Sequence, residues 1–238
     1  MRLTFRPMLW VSLLAIALFV VFILLGNWQV RRLHWKVGLI AETSATLISK
    51  PITLDAAITL GKAAEYHPVA LTGHFDHAKE VYVYGAANGV PVYHVLTPFT
   101  DEKGRTLIID RGIVPEELRE PKKRSAGNVE GATSVVAVWR KPDPPNSMVP
   151  VDQAHRIWFS RDITGIAAAE KIALAVPILL EADKTPNPGG WPKGGQTVVT
   201  FANNHLQYAV TWYALAGLTL LGYFVVHISL GRLKITAK

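Results

Sequence analysis

The amino-acid sequence predicts a membrane protein of the α+β class, in which two transmembrane helices flank a mainly β extracytoplasmic domain. Two long windows without charged residues lie near the ends of the 238-residue chain, and short β-rich runs separated by turn residues lie between them. Half of the residues are hydrophobic (50%) and 18% are charged, whereas a soluble domain carries about 25% charged residues. The apolar surplus therefore belongs to segments that leave water.

The first uncharged window, residues 7–30, predicts a transmembrane helix over residues 8–28. At about 1.5 Å per residue, this helix crosses a hydrocarbon core of about 30 Å. A cleaved signal peptide is the alternative, but the apolar run is longer than the apolar core of such a peptide, and no small-residue cleavage site follows it. We therefore predict an uncleaved anchor. The second window, residues 194–231, predicts a transmembrane helix over residues 204–230.

The charges at the two ends of the chain orient the predicted helices. All 18 acidic residues lie between the two windows, whereas the tails 1–7 and 231–238 carry only basic charges. Because short basic segments stay in the cytoplasm, both tails are predicted to be cytoplasmic and residues 29–203 extracytoplasmic. A basic cluster that begins at Arg31 favours the opposite orientation, but long domains cross a membrane largely regardless of their charge.

Length and composition restrict the location and the class of the protein. The short first tail leaves no room for an organellar transit peptide, so a bacterial inner membrane is the expected location. The net charge of +7 does not indicate nucleic-acid binding, because no basic patch interleaves with aromatic residues. The absence of cysteine excludes disulfides, iron–sulfur clusters, thiolate zinc sites and a cysteine nucleophile.

The central domain is predicted to be a small barrel or sandwich with one or two short helices. Its β-rich runs are residues 69–75, 80–84, 92–99, 106–114, 134–139, 156–160 and 175–181. A helix is predicted over residues 163–173, with Asp162 as its N-cap. The first transmembrane helix is expected to continue as a stalk from residue 29 to about residue 48. Residues 184–195, rich in Pro and Gly, are expected to form a flexible leash.

The sequence contains no motif that indicates catalysis, so we expect no enzyme. G-x-S-x-G, H-E-x-x-H and P-loop patterns are absent. His67, His74 and His77 fall close together, His94 lies further on, and Asp76 could add an oxygen ligand, which is compatible with a metal site. A solvated surface is the favoured interpretation, because polar residues are ordinary at a strand end and turn. The function of this histidine cluster stays open.

A more specific pattern lies at the start of the second predicted span. Asn203 or Asn204 is expected to cap the helix, and His205, Tyr208 and Trp212 share one helical face. An imidazole above aromatic rings suits a planar hydrophobic cofactor such as haem. An interfacial belt of aromatic residues is the alternative, and from these residues alone it is favoured. The pair His227 and Tyr223, at the other end of the span, is interpreted as such a belt.

Five segments carry a resemblance to a known family. They are Leu25-Gly26-Asn27-Trp28-Gln29, residues 66–75 ending in Thr72-Gly73-His74-Phe75, Tyr93-His94-Val95-Leu96-Thr97-Pro98-Phe99, Arg111-Gly112-Ile113-Val114-Pro115 and Asn203-Asn204-His205-Leu206-Gln207-Tyr208-Ala209. In this order, between two spans, they resemble the Surfeit locus protein one family. Its members are membrane-anchored assembly factors for haem–copper cytochrome c oxidase. The chain departs from the family pattern at Ile113, where Trp is usual, and at Val92, where Gly often stands.

The resemblance implies a function and a cofactor. Family members are thought to support insertion of haem a into the catalytic subunit of the oxidase, and the implicated histidine corresponds to His205. The implied partners are this catalytic subunit, the machinery that synthesises haem a, and membrane lipid. A cofactor-free scaffold that docks oxidase subunits during assembly is the alternative.

These implications combine with the residues into a hypothesis for the site. His205 would ligate the iron of a transiently held haem a, with Tyr208 and Trp212 beside the ring. Trp28 and Gln29 leave the membrane at the same level and would close the site. Arg31 and Arg32 would pair with the haem propionates. The alternative for both arginines is interfacial snorkelling, which is the favoured interpretation.

Overall fold

The computed structural model describes residues 2–146, 148–199 and 201–236. The chain forms two compact units. The first contains the two ends of the chain, Met1–Glu42 and Thr200–Lys238, and the second contains Thr43–Val199.

The secondary-structure elements are numbered in chain order. The helices are α1 (Leu9–Leu47), α2 (Leu54–Leu60), α3 (Ile163–Ala169) and α4 (His205–Ser229). The strands are β1 (Arg2–Phe5), β2 (Ile52–Thr53), β3 (Pro68–Phe75), β4 (Val81–Ala87), β5 (Val90–Asp101), β6 (Thr106–Val114), β7 (Thr133–Arg140), β8 (Ile157–Trp158), β9 (Leu174–Ala182) and β10 (Leu233–Thr236). Short 3₁₀ turns cover Gly61–Ala64, His77–Lys79, Glu116–Leu118, Pro121–Gly127 and Pro188–Gly190.

Both predicted spans lie in helices, as expected. α1 has 39 residues and α4 has 25 residues, and each is long and apolar enough to cross a membrane. α1 continues without interruption to Leu47, which confirms the predicted helical stalk. Two candidate membrane helices therefore flank the second unit in the sequence.

The helices α1 and α4 pack closely around Gly26. A Cβ atom on Gly26 would lie 2.5 Å from Cε1 of the Tyr213 ring, so glycine leaves the room that this ring needs. The Tyr213 hydroxyl donates a hydrogen bond to Asn27 Oδ1 at 2.7 Å. Phe22 stacks on Trp212, with ring centroids 5.8 Å apart and planes inclined by 23°. These contacts define the faces on which the two helices meet.

The other ends of α1 and α4 meet at His227, which is completely buried. Its Nδ1 donates to the Tyr223 carbonyl at 2.8 Å, so its Nε2 accepts from the backbone N–H of Met8 at 3.1 Å. The Tyr223 and Ser12 hydroxyls are 2.7 Å apart. The prediction of an interfacial belt at His227 and Tyr223 is wrong, because both residues bond to the start of α1. Beside them β1 and β10 form an antiparallel ladder that the sequence patterns did not predict.

Five strands of the second unit close into a barrel. Neighbours around it are β3, β7, β9, β6 and β5, and β5 pairs back with β3. These pairs are antiparallel except for β6 and β9, which run parallel. Of the two predicted architectures, the small barrel is therefore confirmed.

Alternate residues of the barrel strands fill its interior. Phe99, Ile109 and Leu180 are completely buried in this core. α2 packs Ala57 against the same core, and the Thr53 hydroxyl accepts a backbone hydrogen bond of 3.2 Å from the first turn of α2. The sequence patterns did not predict α2, because its seven residues are too few for a helical period to show.

The outer face of the barrel is covered by β4, β8 and α3. β4 pairs with β5, and β8 pairs in parallel with β4. The predicted N-cap of α3 is confirmed, since Asp162 Oδ1 accepts a backbone hydrogen bond at 3.0 Å. α3 ends at Ala169, short of the predicted residue 173, because Lys171 has a φ of 53°, outside the helical region.

Residues 184–195 pack against the barrel, so the prediction of a flexible leash is wrong. Lys193 and Ile113 exchange two backbone hydrogen bonds of 3.0 Å each. Gly112 makes this approach possible, because a Cβ atom there would overlap the Lys193 carbonyl and its φ of 117° favours glycine. Composition indicated flexibility here, but the glycines serve a close contact between two chain segments.

One carboxylate holds two buried guanidinium groups beside the barrel. Glu80 pairs with Arg124 and accepts a hydrogen bond of 2.8 Å from the Tyr82 hydroxyl. Arg111 lies 3.9 Å from Glu80 and stacks over the Phe75 ring at 4.7 Å. Burial lowers the pKa of Arg111 to about 10, although Glu80 opposes this shift. The local structure therefore depends on the negative charge of Glu80.

Replacing Glu80 by Gln leaves both guanidinium groups buried without this counter-charge. Loss of one member of a buried ion pair costs about 3–5 kcal/mol, so we expect the free energy of unfolding to fall by that amount. The control is Glu116→Gln, which removes an exposed pair with Arg119 at 3.0 Å and should cost less than about 1 kcal/mol. Chemical denaturation of the purified protein in mild detergent measures both. Equal effects would contradict the central role of Glu80.

Replacing Gly26 by Val should separate α1 from α4, because its side chain collides with the Tyr213 ring. Overpacking of this kind costs about 1–3 kcal/mol. Gly217→Val makes the same change in α4 at a position where a Cβ atom meets nothing within 4 Å, so it should leave the thermal midpoint nearly unchanged. Circular dichroism during heating in detergent compares the two variants. A smaller effect at Gly26 than at Gly217 would show that the helices do not depend on this contact.

Candidate functional site

The candidate site lies where α4 begins, and its central contact joins α4 to α1. His205 is the first residue of α4, and its Nδ1 lies 2.7 Å from Oε1 of Gln29. Gln29 is buried on α1. Asn204 occupies the N-cap position as predicted, but its side chain makes no capping hydrogen bond, and its backbone carbonyl accepts from Tyr208 N–H at 3.2 Å. The structure therefore brings together two predicted site residues that are 176 positions apart.

The Gln29 contact determines which nitrogen of His205 carries the proton. An amide oxygen can only accept a hydrogen bond, so Nδ1 of His205 is the donor. In the neutral imidazole, Nε2 then holds the lone pair and is free to act as a metal ligand. A hydrogen bond of this kind also fixes the orientation of the ring, as second-shell partners do in metal sites. The pair has the chemistry of a histidine prepared to bind a metal through Nε2.

The predicted aromatic residues of the site divide into two groups. Trp212 packs on Phe22 of α1 and so belongs to the contact between the helices. Tyr208 and Trp28 are 53% and 46% exposed. Tyr208 follows His205 on α4 by three residues, and Trp28 directly precedes Gln29 on α1. These two rings are available to a hydrophobic molecule, whereas Trp212 is engaged by α1.

The predicted arginines lie two and three residues beyond Gln29 on α1. Arg31 and Arg32 are both exposed, and the Arg32 guanidinium lies over the Trp35 ring at 4.5 Å from its centroid. Lys36 continues this cationic surface, with Nζ 4.9 Å from the centroid of the Phe201 ring. An exposed guanidinium is free to pair with an anionic group or to reach a lipid headgroup, and the structure is compatible with both.

Sequence reasoning missed several residues of the contact between the helices. The sequence patterns did not assign Gly26, Asn27 and Tyr213 to this contact, although Gly26 and Asn27 belong to the family-like segment at the end of the first span. A signal was present, because Ala209 and Ala216 are the buried small residues of α4 and lie seven positions apart. Small residues at this spacing mark the face on which two apolar helices approach closely.

The histidine cluster of the second unit does not form a metal site within the part of the chain that the structure describes. No group of three or more His, Cys, Asp or Glu side chains there is arranged to hold a metal ion. His74 is exposed, and His77 Nε2 bonds to the Val129 carbonyl at 2.9 Å. The metal alternative for His67, His74 and His77 is therefore unsupported, and the surface interpretation describes His74.

Comparisons with known proteins agree over most of the chain. The family model described as the SURF1 family matches residues 16–217. Surfeit locus protein 1 of Mus musculus is 38% identical over 212 residues, which cover 82% of this chain and 68% of the relative. The Homo sapiens protein of the same name is 36% identical over 213 residues, covering 82% of this chain and 70% of the relative. The SURF1-like protein of Monosiga brevicollis is 34% identical over 211 residues, covering 82% and 79%.

The matched segment contains most of α1, the first half of α4, the whole barrel and the residues around His205. The resemblance inferred from the five sequence motifs is therefore confirmed, and the chain belongs to the SURF1 family.

Proposed function

We propose that this protein is a biogenesis factor for haem–copper cytochrome c oxidase that assists insertion of haem a into the catalytic subunit, with His205 as a haem ligand. Family membership supports the assembly role. The assignment of His205 as the haem ligand rests on its hydrogen bond with Gln29, because this bond leaves the Nε2 lone pair of His205 available for iron.

The proposal includes a location. α1 and α4 span a bacterial inner membrane, the tails 1–7 and 231–238 are cytoplasmic, and residues 29–203 are extracytoplasmic. The length and apolar composition of both helices support the membrane spans. The basic charges of the two tails support the orientation.

The residues of the site fit a haem group by their chemistry. A bound haem would supply an iron that accepts an axial nitrogen ligand. His205 offers a neutral imidazole nitrogen, and Gln29 holds the ring in this tautomer. Tyr208 and Trp28 offer exposed aromatic surface on the same two helices. The guanidinium groups of Arg31 and Arg32 are exposed and suit the carboxylates of propionate side chains.

In this mechanism the protein catalyses no reaction. It holds the cofactor and hands it to the oxidase, so binding has to be firm enough to protect the haem and weak enough to release it. A single histidine ligand on a contact between two helices meets both needs, because separation of the helices would remove the support that Gln29 gives. The competing candidate is a cofactor-free scaffold whose barrel docks oxidase subunits.

Replacement of His205 by Ala separates the two candidates. We expect a host that lacks the gene to lose the haem a band of its oxidase, and expect wild type but not His205→Ala to restore it. Reduced-minus-oxidised spectra of membranes measure this band. The matched control is Leu206→Ala, which truncates the exposed next residue and should restore the band fully.

Each other outcome has a defined meaning for the proposal. Full restoration by His205→Ala would favour the cofactor-free scaffold over the haem ligand. An unchanged band after deletion, in a host without a second family member, would overturn the assembly role.

Substitutions of Gln29 test the support of the ligand. Gln29→Leu removes the acceptor for His205 Nδ1–H, and loss of such a partner typically lowers metal affinity about 10- to 100-fold. Gln29→Glu keeps an acceptor oxygen and should keep most of the affinity. Titration of the purified variants with haem a, followed by the absorption of the bound haem, compares them. Equal affinity of Gln29→Leu and wild type would show that His205 needs no support from α1.

A further inference from the structure

A polar cavity of about 370 Å³ lies on the outer face of the barrel, and none of its lining residues belongs to the His205 site. On this face, α3 covers an apolar patch that includes Leu96, Ile108 and Leu179. The residues two positions away on the same strands are polar. They are His94 on β5, Asp110 on β6 and Glu181 on β9. α3 covers the apolar part of the face, and the polar part contributes to the cavity.

His94 presents one ring nitrogen toward this cavity. Its Nδ1 donates to Asp110 Oδ2 at 2.7 Å, and Asp110 is held in place by the Gly112 N–H at 3.0 Å from Oδ1. Nε2 of His94 faces β4 at Gly85, where a Cβ atom would lie 3.5 Å from it. Because Gly85 has no side chain, this edge of the imidazole stays uncovered. The carboxylate fixes the ring, and the free nitrogen lines the cavity.

The walls of the cavity combine charged groups with an aromatic rim. Arg161 donates to Asp143 Oδ2 at 3.1 Å and to Glu181 Oε1 at 2.5 Å. Tyr84 and Phe159 lie at the rim with ring centroids 6.1 Å apart. Asp143 is accessible, with 41% of its side chain exposed, whereas Glu181 is almost completely buried.

The charges of this network do not balance. Its carboxylates are Glu65, Asp110, Asp143 and Glu181, and its guanidinium groups belong to Arg140 and Arg161. Glu65 lies outside the cavity, so the groups at the cavity carry one surplus negative charge when His94 is neutral. Partly enclosed charges are screened weakly by salt, so the cavity attracts a positive group and repels an anion.

The cavity lies at the place where barrels of a related topology bind their ligands. In five-stranded Greek-key barrels of the OB type, ligands bind across the second and third strands, between the loop that follows the first strand and the loop that follows the fourth. Counted within this barrel, β5 and β6 are the second and third strands, and β4 lies in the first of these two loops. The connection between β7 and β9, which contains β8 and α3, takes the place of the second loop and supplies Asp143, Phe159 and Arg161 to the cavity. The similarity to OB-type barrels is limited to the location of the site, because the surplus negative charge disfavours an oligonucleotide.

We propose that this cavity binds one cationic group, an ammonium or guanidinium on an aliphatic stem, with the charge beside Asp143 and Glu181 and the stem against Tyr84 and Phe159. Aromatic rings at the rim suit such a group, because a cation is attracted to the face of an aromatic ring. The group can be the end of a basic side chain of a partner polypeptide or a free small amine or guanidine.

The proposal predicts that the affinity of the cavity for a cation depends on pH. Burial alone lowers the pKa of His94, but the Asp110 carboxylate outweighs it, so the pKa is raised above the ordinary value. The other charged or titratable groups facing His94 across the cavity are Glu181, Arg161, Asp143, Arg140 and Tyr84. A bound cation and a protonated His94 repel each other, so affinity should rise as the pH rises through the pKa of His94, and the bound cation should lower this pKa.

Calorimetric titration of the full-length protein in neutral detergent tests the cation. The probes are an acetylated Gly-Arg-Gly amide, the same peptide with neutral citrulline in place of arginine, and n-butylguanidinium. We expect the arginine peptide to bind at least about tenfold more tightly than the citrulline peptide. Binding of the peptide alone would identify a polypeptide side chain as the source, and equal binding of n-butylguanidinium would identify a free small molecule.

Two variants locate the binding within the cavity. Asp143→Asn removes the accessible carboxylate and should weaken binding about three- to fivefold. Val198→Arg places a resident guanidinium at an exposed lining position and should abolish binding. The control is Leu60→Arg, which adds the same charge at an exposed residue outside the cavity and should bind as wild type does. Unchanged thermal midpoints establish that the variants are folded.

Three results would overturn the proposal. They are equal binding of the citrulline peptide, absence of binding of both guanidinium probes up to about 10 mM, and binding that survives Val198→Arg. None of them bears on the haem proposal, because no cavity residue belongs to the His205 site.

Discussion

The barrel depends on one strand, β5, that shares a single edge between two partners. Residues 90–96 pair with β4 along this edge and residues 99–101 pair with β3, while the opposite edge pairs with β6. An open edge would leave a row of backbone groups without partners, so β3 has to take over where β4 ends. Pro98 lies at the change, and its carbonyl accepts from the N–H of Asp76, which follows β3. This exchange closes the core, and the same strand carries His94 into the cavity outside it.

The contact between α1 and α4 follows a different rule, because most of both surfaces is apolar. Apolar side chains alone do not specify which faces of two such helices meet, whereas small residues and hydrogen bonds do. Gly26 admits the Tyr213 ring, and polar side chains bond across the contact at both ends, through Gln29 at one end and His227 at the other. The polar groups therefore determine the register of the helices, and the candidate ligand His205 belongs to this set.

The sequence predicted local structure well and long-range contacts poorly. The strand over residues 106–114 and the N-cap at Asp162 were predicted correctly, because alternation and capping depend on neighbouring residues. His227 was misassigned, since an apolar helix carries its polar residues in the same way whether they face lipid or another helix. Residues 184–195 were misassigned because glycine marks a mobile linker and a close backbone approach alike. In the candidate site, the face with His205 was predicted, and Gln29 was placed at the site because it leaves the membrane at the same level, but the hydrogen bond between them is visible only in the structure.

The two histidines singled out by the structure show how one geometry serves two chemistries. In His205 and His94 alike, Nδ1 donates to an oxygen and Nε2 is left open. The partner of His205 is the neutral amide of Gln29, which fixes the tautomer without adding a charge. The partner of His94 is the carboxylate of Asp110, which raises its pKa and makes the ring responsive to protons and to nearby cations. The carboxylate therefore makes His94 a candidate ion-responsive group, whereas His205 is a candidate cofactor ligand because of its place at the contact between α1 and α4.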